Sequence, residues 1–220
     1  MNRRIDLVLS SIGKKELMAL TGLGFLAFLV VHLAGNFTIW GGAAAFDGYA
    51  QKLESLGPLV LVAEAGMVTM ALVHVITGVA LIVRNRRSKG KYEGQKRWAG
   101  GQTLGSYSMW LTGPWILFFV CIHLAHFTFP HKLGGDERPL SLMMVERFAD
   151  PLWVAFYAVS VAAIGFHVSH GFWSALQTLG LAPSRKGWVR DLSVGLGMVC
   201  ALGFAVLVIV VHFNPALLSQ

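Results

Sequence analysis

The chain has 220 residues, of which 55% are hydrophobic and 13% charged, with a formal net charge of +7. A soluble domain carries about 25% charged residues, so this composition excludes an ordinary water-soluble domain and places the chain in a membrane. Little sequence is left for a soluble catalytic module, so any such module must belong to another chain. Lipid is an expected partner and nucleic acid is not.

A span needs about 20 largely apolar residues to cross a hydrocarbon core roughly 30 Å thick. Five stretches qualify, approximately 16–41, 58–83, 107–130, 151–178 and 191–213. They predict an all-α membrane protein of five transmembrane helices, with residues 1–220 forming a single integral-membrane domain. The first stretch is too long for a signal-peptide core and shows no small-residue cleavage site before Trp40, so it reads as a retained span. The second opens at Pro58, after Gly57. The third contains Pro114, which predicts a kink there or a later start. Asp150-Pro151 supplies an N-cap and a first-turn proline for the fourth. The fifth carries no centrally placed ligand candidate and is expected to pack against the other four. Trp40 and Trp188 read as interface anchors. Cys121 and Cys200 fall inside spans and read as small apolar side chains, not as a disulfide or a metal pair.

The basic residues are unevenly placed. Arg3, Arg4, Lys14 and Lys15 precede the first span; Arg84, Arg86, Arg87, Lys89, Lys91, Lys96 and Arg97 lie between the second and third; Arg185, Lys186 and Arg190 lie between the fourth and fifth. The opposite connections hold Lys52, Lys132, Arg138 and Arg147. The positive-inside bias puts the N-terminus in the cytoplasm and the C-terminus outside. The 84–97 basic run reads first as a topology signal that also meets anionic lipid. Its length leaves open a second role, as part of a docking face for a cytoplasmic partner.

Four of the eight histidines, His32, His74, His123 and His167, fall well inside four different spans. Ionisable side chains in a bilayer core are costly and usually mark function. Their depths separate them into pairs. His32 lies eight residues before Trp40 and His123 seven before Pro130, which at 1.5 Å per residue puts both about 10–12 Å below the outer boundary. His74 lies ten residues before Arg84 and His167 ten before Gln177, roughly 15 Å above the inner boundary by the same rise. The first four spans therefore predict a bundle with an outer pair, His32 and His123, and an inner pair, His74 and His167. Local sequence repeats the pairing. Thr21-Gly22 precedes His32 as Thr112-Gly113 precedes His123, and Gly78 follows His74 by four residues as Gly171 follows His167. Glycine four residues from a ligand shares its helix face and leaves room for a porphyrin to approach.

Two neutral imidazoles per site, without cysteine or a nearby carboxylate, suit a six-coordinate haem iron better than zinc or a non-haem centre. With both axial positions filled such a haem transfers electrons and does not bind oxygen. No C-x-x-C-H run occurs, so the two haems are expected as non-covalent haem b. His170, three residues from His167, competes as the fourth-span ligand, but its depth and glycine offset match less well. His126 and His131 are expected near the outer interface, with contact to a propionate or a quinone as the alternative, and His212 is expected there too. Glu64 sits ten residues outward of His74 and reads either as a polar residue lining the bundle or as a proton-exchanging group beside a quinone.

The stretches FLVVHLAGNF around His32, LVHVITGVALI around His74, LTGPWILFFVCIH ending at His123 and AIGFHVSHGFWS around His167 carry a resemblance over almost the whole chain. They resemble the ligand-bearing helices of the di-haem cytochrome b anchor of succinate dehydrogenases and fumarate reductases, in the single-anchor, two-haem type. The run F-H-x-S-x-G-x-W-S from Phe166 to Ser174 is its most specific piece. The resemblance puts the ligands of the haem nearer the cytoplasm on His74 and His167 and those of the distal haem on His32 and His123. It implies a flavoprotein subunit with FAD and an iron–sulfur subunit on the cytoplasmic side, allows a dimer of such heterotrimers, and implies a quinone, commonly menaquinone, in a bacterial cytoplasmic membrane. Some fumarate reductases of this family have a glutamate two residues before the fourth-span ligand, proposed to pass compensating protons. This chain has Gly165 there, so that path lacks its carboxylate. The cytochrome b of a nitrate reductase or hydrogenase is a competing reading. In the nitrate reductase anchor both ligand pairs come from the same two helices, unlike the one-per-span pattern here. A transporter with proton- or metal-binding histidines is the non-enzyme alternative.

Overall fold

A computed structural model describes residues 10–89, 104–182 and 187–218. The basic residues Arg3, Arg4, Lys91, Lys96, Arg97, Arg185 and Lys186 lie outside the described residues. The chain order is α1 (Ser11–Asn36), a 3-10 turn (Phe37–Gly41), α2 (Ala43–Glu54), α3 (Pro58–Lys89), α4 (Leu104–Phe127), α5 (Phe129–Lys132), α6 (Leu140–Phe148), α7 (Pro151–Thr178), α8 (Gly187–Phe213) and a 3-10 turn (Pro215–Leu218). Among the described residues five helices, α1, α3, α4, α7 and α8, are long and apolar enough to cross a membrane, and the chain is a multi-pass membrane protein. The end that carries Ser10 and Gly187 is called inner below, and the end that carries Pro58 and Pro151 outer.

Local chemistry sets the helix ends. Ser10 caps α1, its Oγ accepting the Gly13 N–H at 3.0 Å, and Asp150 caps α7 by accepting from Leu152 N at 2.8 Å; both satisfy donors that a helix start leaves unpaired. At the inner end of α7, Gly180 takes a φ of +71°. Leu181 N–H then reaches Leu176 O at 2.8 Å and Gly180 N–H reaches Gln177 O at 3.1 Å, the paired bonds of a Schellman stop. The third span runs from Leu104 to Phe127 with Pro114 inside it. It stops short of the expected 130, because Pro130 falls in the first turn of the separate helix α5, where a missing N–H costs nothing.

In cross-section the spans follow the order α3, α1, α7, α4, with α8 backing α7 and touching α1. Thus α1 lies between α3 and α7, and α7 lies between α1 and α4. The closest approach is between α7 and α8. A Cβ at Gly165 would lie 2.8 Å from Gly197 O and 2.7 Å from the Ala201 Cβ, and one at Gly197 would lie 2.4 Å from Gly165 O. Without a hydrophobic drive between helices in lipid, such small-residue crossings supply the van der Waals contact that holds spans together. The fully buried Ser160 and Ser193 lie on these same two helices. Ser160 Oγ accepts Trp115 Nε1–H at 3.1 Å and donates to Phe156 O at 2.7 Å, tying α4 to α7 by a bond no water competes for.

The outer end is closed by α2 and α6, two short helices the sequence reading did not anticipate. They cover the bundle with Ile39, Phe46, Met144, Phe148 and Leu218, all buried. Asp47 on α2 accepts from Ser141 N at 2.9 Å and Ser141 Oγ at 2.6 Å, so a carboxylate from one helix satisfies the first turn of the other. Asp47→Ala strands a buried N–H and hydroxyl and should cost about 1–3 kcal/mol. A lowered thermal midpoint in detergent checks this, and an unchanged midpoint would mean that the contact is replaced by water.

Candidate functional site

The four intramembrane histidines meet two by two. On the inner side His74 of α3 faces His167 of α7, with ring centroids 6.3 Å apart. Toward the outer side His32 of α1 faces His123 of α4, with centroids 6.0 Å apart. Each pair closes across the helix that lies between its two spans. A metal–imidazole bond of about 2 Å, plus roughly 1 Å from nitrogen to ring centre, separates two imidazoles on one metal by about 6 Å. Among the described residues no group of three or more His, Cys, Asp and Glu is placed to hold a metal ion, so neither pair is part of a tetrahedral protein cage. Two opposed imidazoles fit the axial positions of a metal whose remaining four ligands come from a planar macrocycle.

The inner pair has a defined hydrogen-bonding environment. Thr21 Oγ1 lies 3.0 Å from His74 Nδ1, and Thr112 Oγ1 lies 3.3 Å from His167 Nδ1. A Cβ at Gly22 would lie 3.5 Å from the His74 Cε1, and one at Gly113 would lie 4.0 Å from the His167 Cε1. The Thr-Gly pairs, read from sequence as markers of the outer histidines, thus lie against the inner ones. The edge of Phe25 also meets His74, at 5.6 Å.

The outer pair is walled by aromatic rings. Phe28 stacks on His32 at 5.2 Å, and Phe204 of the fifth span approaches it at 5.7 Å. Phe119 and Phe127 flank His123 at 5.7 Å and 5.4 Å. Its polar contacts are longer. Asn36 donates to the His32 carbonyl at 2.8 Å and stands 3.5 Å from His32 Nε2. The hydroxyl of Tyr157, only 4% exposed, lies 3.5 Å from His123 Nδ1 and 3.1 Å from His126 Nδ1. His126 in turn sits edge-on to Trp153 at 4.4 Å, with the Arg147 guanidinium 5.3 Å over that indole.

The other candidates separate from these pairs. A Cβ at Gly171 would meet nothing within 4 Å, whereas one at Gly78 would press on Met18 Cε at 2.8 Å, so Gly78 accommodates packing of α1 on α3. Glu64 is ion-paired with Lys132 at the outer rim, both partly exposed. His131 Nε2 pairs with Glu54 at 2.9 Å and its Nδ1 meets Asp136 O at 2.8 Å. Beyond the spans, hydrogen bonds from Arg138 hold the Asp136 carboxyl down to about 2. His212 Nδ1 bonds Phe148 O at 2.7 Å, fastening the fifth span to α6. Cys121 is exposed and Cys200 buried, and both are free thiols.

No protein-family model and no solved structure matches the chain. Among curated proteins it is 26% identical over 178 residues to the succinate dehydrogenase cytochrome b558 subunit of Bacillus subtilis (strain 168), covering 80% of this chain and 84% of that one. The similarity to a succinate dehydrogenase cytochrome b subunit runs over most of both chains. Tyr157, Asn36 and Phe204 border the outer histidine pair, and sequence reasoning missed them. Tyr157 carried a signal, a phenol inside the outer part of an apolar span that needs a partner for its hydroxyl.

Proposed function

We propose that this chain is the membrane electron-transfer subunit of a succinate:quinone oxidoreductase or quinol:fumarate reductase, with two non-covalent b haems. His74 and His167 would hold the inner one, and His32 and His123 the outer one. The observation that carries the reading is the presence of two imidazole pairs, spaced at 6.3 Å and 6.0 Å, at two levels of a four-span bundle. The relationship to a succinate dehydrogenase cytochrome subunit supports it independently. Haem iron bound at such a pair supplies reversible one-electron transfer. The chain's own residues hold the ligand rings, wall the outer pair with Phe28, Phe119, Phe127 and Phe204, and set the two levels apart.

The inner face would meet an iron–sulfur subunit and, through it, an FAD-bearing flavoprotein where the dicarboxylate chemistry occurs. The basic residues expected between the second and third spans suit that face and orient it to the cytoplasm. Quinone, with menaquinone the favoured species, would exchange electrons near the outer pair. Purification of the native complex tests the assignment. The expected preparation contains a flavoprotein and an iron–sulfur subunit and reduces quinone with succinate, or fumarate with quinol. A chain that purifies without either subunit from mildly solubilised membranes would overturn it.

Glu64 is the proposed proton-exchanging group for the quinone, and Lys132 fixes its carboxylate at the rim. Glu64→Gln keeps shape but removes the base, so quinone turnover should fall at least about tenfold, toward the 10²-fold scale of lost acid–base catalysis, with both haems retained. Unchanged turnover would remove Glu64 from the site.

A further inference from the structure

The two inner histidines are treated alike in a way the outer two are not. Each lies against a threonine of the preceding span, at 3.0 Å for Thr21 and His74 and at 3.3 Å for Thr112 and His167. A threonine hydroxyl has one hydrogen to donate. Thr21 Oγ1 lies 2.7 Å from Leu17 O, and Thr112 Oγ1 lies 3.1 Å from Ser108 O, in each case four residues back in the same helix. A carbonyl can only accept, and in each threonine it is the nearer partner, so it takes the hydroxyl hydrogen. Each oxygen is then left to accept a hydrogen from the imidazole. Thr21 Oγ1 also lies 3.2 Å from Met18 O, a second backbone acceptor for the same hydrogen. That arrangement puts the hydrogen of each inner ring on Nδ1 and leaves Nε2 its lone pair, as a metal ligand requires.

Gly22 and Gly113, each next in sequence to its threonine, let the rings approach at 3.5 Å and 4.0 Å from where a Cβ would stand. The pattern Thr-Gly on one span against His on the next occurs twice, once on α1 and α3 and once on α4 and α7. Among the described residues no threonine lies against the outer pair, whose polar neighbours, Asn36 and the Tyr157 hydroxyl, both stand at 3.5 Å.

We infer that Thr21 and Thr112 are the positioning residues of the inner site, each accepting Nδ1–H and so fixing the tautomer, the ring orientation and the donor strength of His74 and His167. The inference rests on the haem reading proposed above. A hydrogen bond at the far nitrogen makes a metal-bound imidazole a stronger donor, which favours ferric over ferrous iron. Losing it raises the potential of the inner haem and leaves the outer one where it was.

Thr112 gives the cleaner test, because Thr21 Oγ1 is shared between two backbone carbonyls, those of Leu17 and Met18. Redox titration and low-temperature EPR are run on the purified complex carrying Thr112→Val or Thr112→Ser, with His167→Ala identifying the inner signals. The expected valine variant keeps both haems, and its inner redox equilibrium shifts about tenfold toward ferrous, about 59 mV for one electron. Its inner EPR signal moves, its outer signal stays, and serine restores both. Loss of the inner haem in valine but not in serine also supports the assignment. An inner potential and EPR signal unchanged in valine would overturn it while leaving the haem reading intact, as would loss of the haem in both variants. An unmodified complex with no haem on this pair would instead overturn the reading beneath it.

Discussion

Replacing His123 with alanine should remove one haem per chain and leave the other. A bis-imidazole site holds iron through two axial bonds, and His123 is the one that α4 brings to the outer level, 6.0 Å from His32. Without it the proposed outer haem would have a single ligand and a gap where the ring stood, while His74, His167 and their threonines would be untouched. The difference spectrum should fall to about half its amplitude, and the surviving signal should be that lost in His167→Ala, the reciprocal variant. His32→Ala should behave as His123→Ala does. His170→Ala should keep both haems, since the ring that meets His74 is His167. Loss of both haems from His123→Ala, or of neither, would contradict the pairing.

Gly165→Glu should not install a proton path; it should prevent the bundle from closing. Gly165 is the position at which some relatives by resemblance carry a glutamate, and here it lies backbone to backbone with Gly197. Even a Cβ would stand 2.7–2.8 Å from Ala201 and Gly197. A longer side chain must force α7 off α8, and a charge would be driven between two apolar helices. Together these should cost about 3 kcal/mol or more. Poor membrane yield, a large fall in thermal midpoint and loss of haem from both levels are expected, because α7 carries His167 and Tyr157. Gly165→Ala should show a milder form. A Gly165→Glu protein of normal stability would mean that the two helices separate more readily than their crossing implies.

The spans and the depths of the histidines were legible because both follow from one-dimensional rules: about 20 apolar residues make a crossing, and 1.5 Å per residue gives the level. Lateral adjacency has no such rule. Thr21 and Thr112 were visible as a repeated pair, but they were assigned to His32 and His123 of their own helices. Eleven residues inward from those histidines is about 16 Å, which puts the threonines at the inner level, and that arithmetic could have redirected them. Knowing which neighbour they touch requires the order α3, α1, α7, α4, which no periodicity encodes. Helices α2 and α6 were missed for a different reason. They are 12 and 9 residues long, and their helical state depends on packing over the bundle's end and on Asp47 bonding Ser141. Glu64 was read as a carboxylate inside a span, but its partner Lys132 comes from a connection 68 residues away, and sequence could not place that lysine at the rim.

The most direct test is haem quantitation by pyridine haemochrome on the purified complex, referred to the amount of this chain. Two non-covalent b haems per chain are the expected result. One haem, or none, would contradict the claim that His32 with His123 and His74 with His167 form two separate ligand pairs across the membrane.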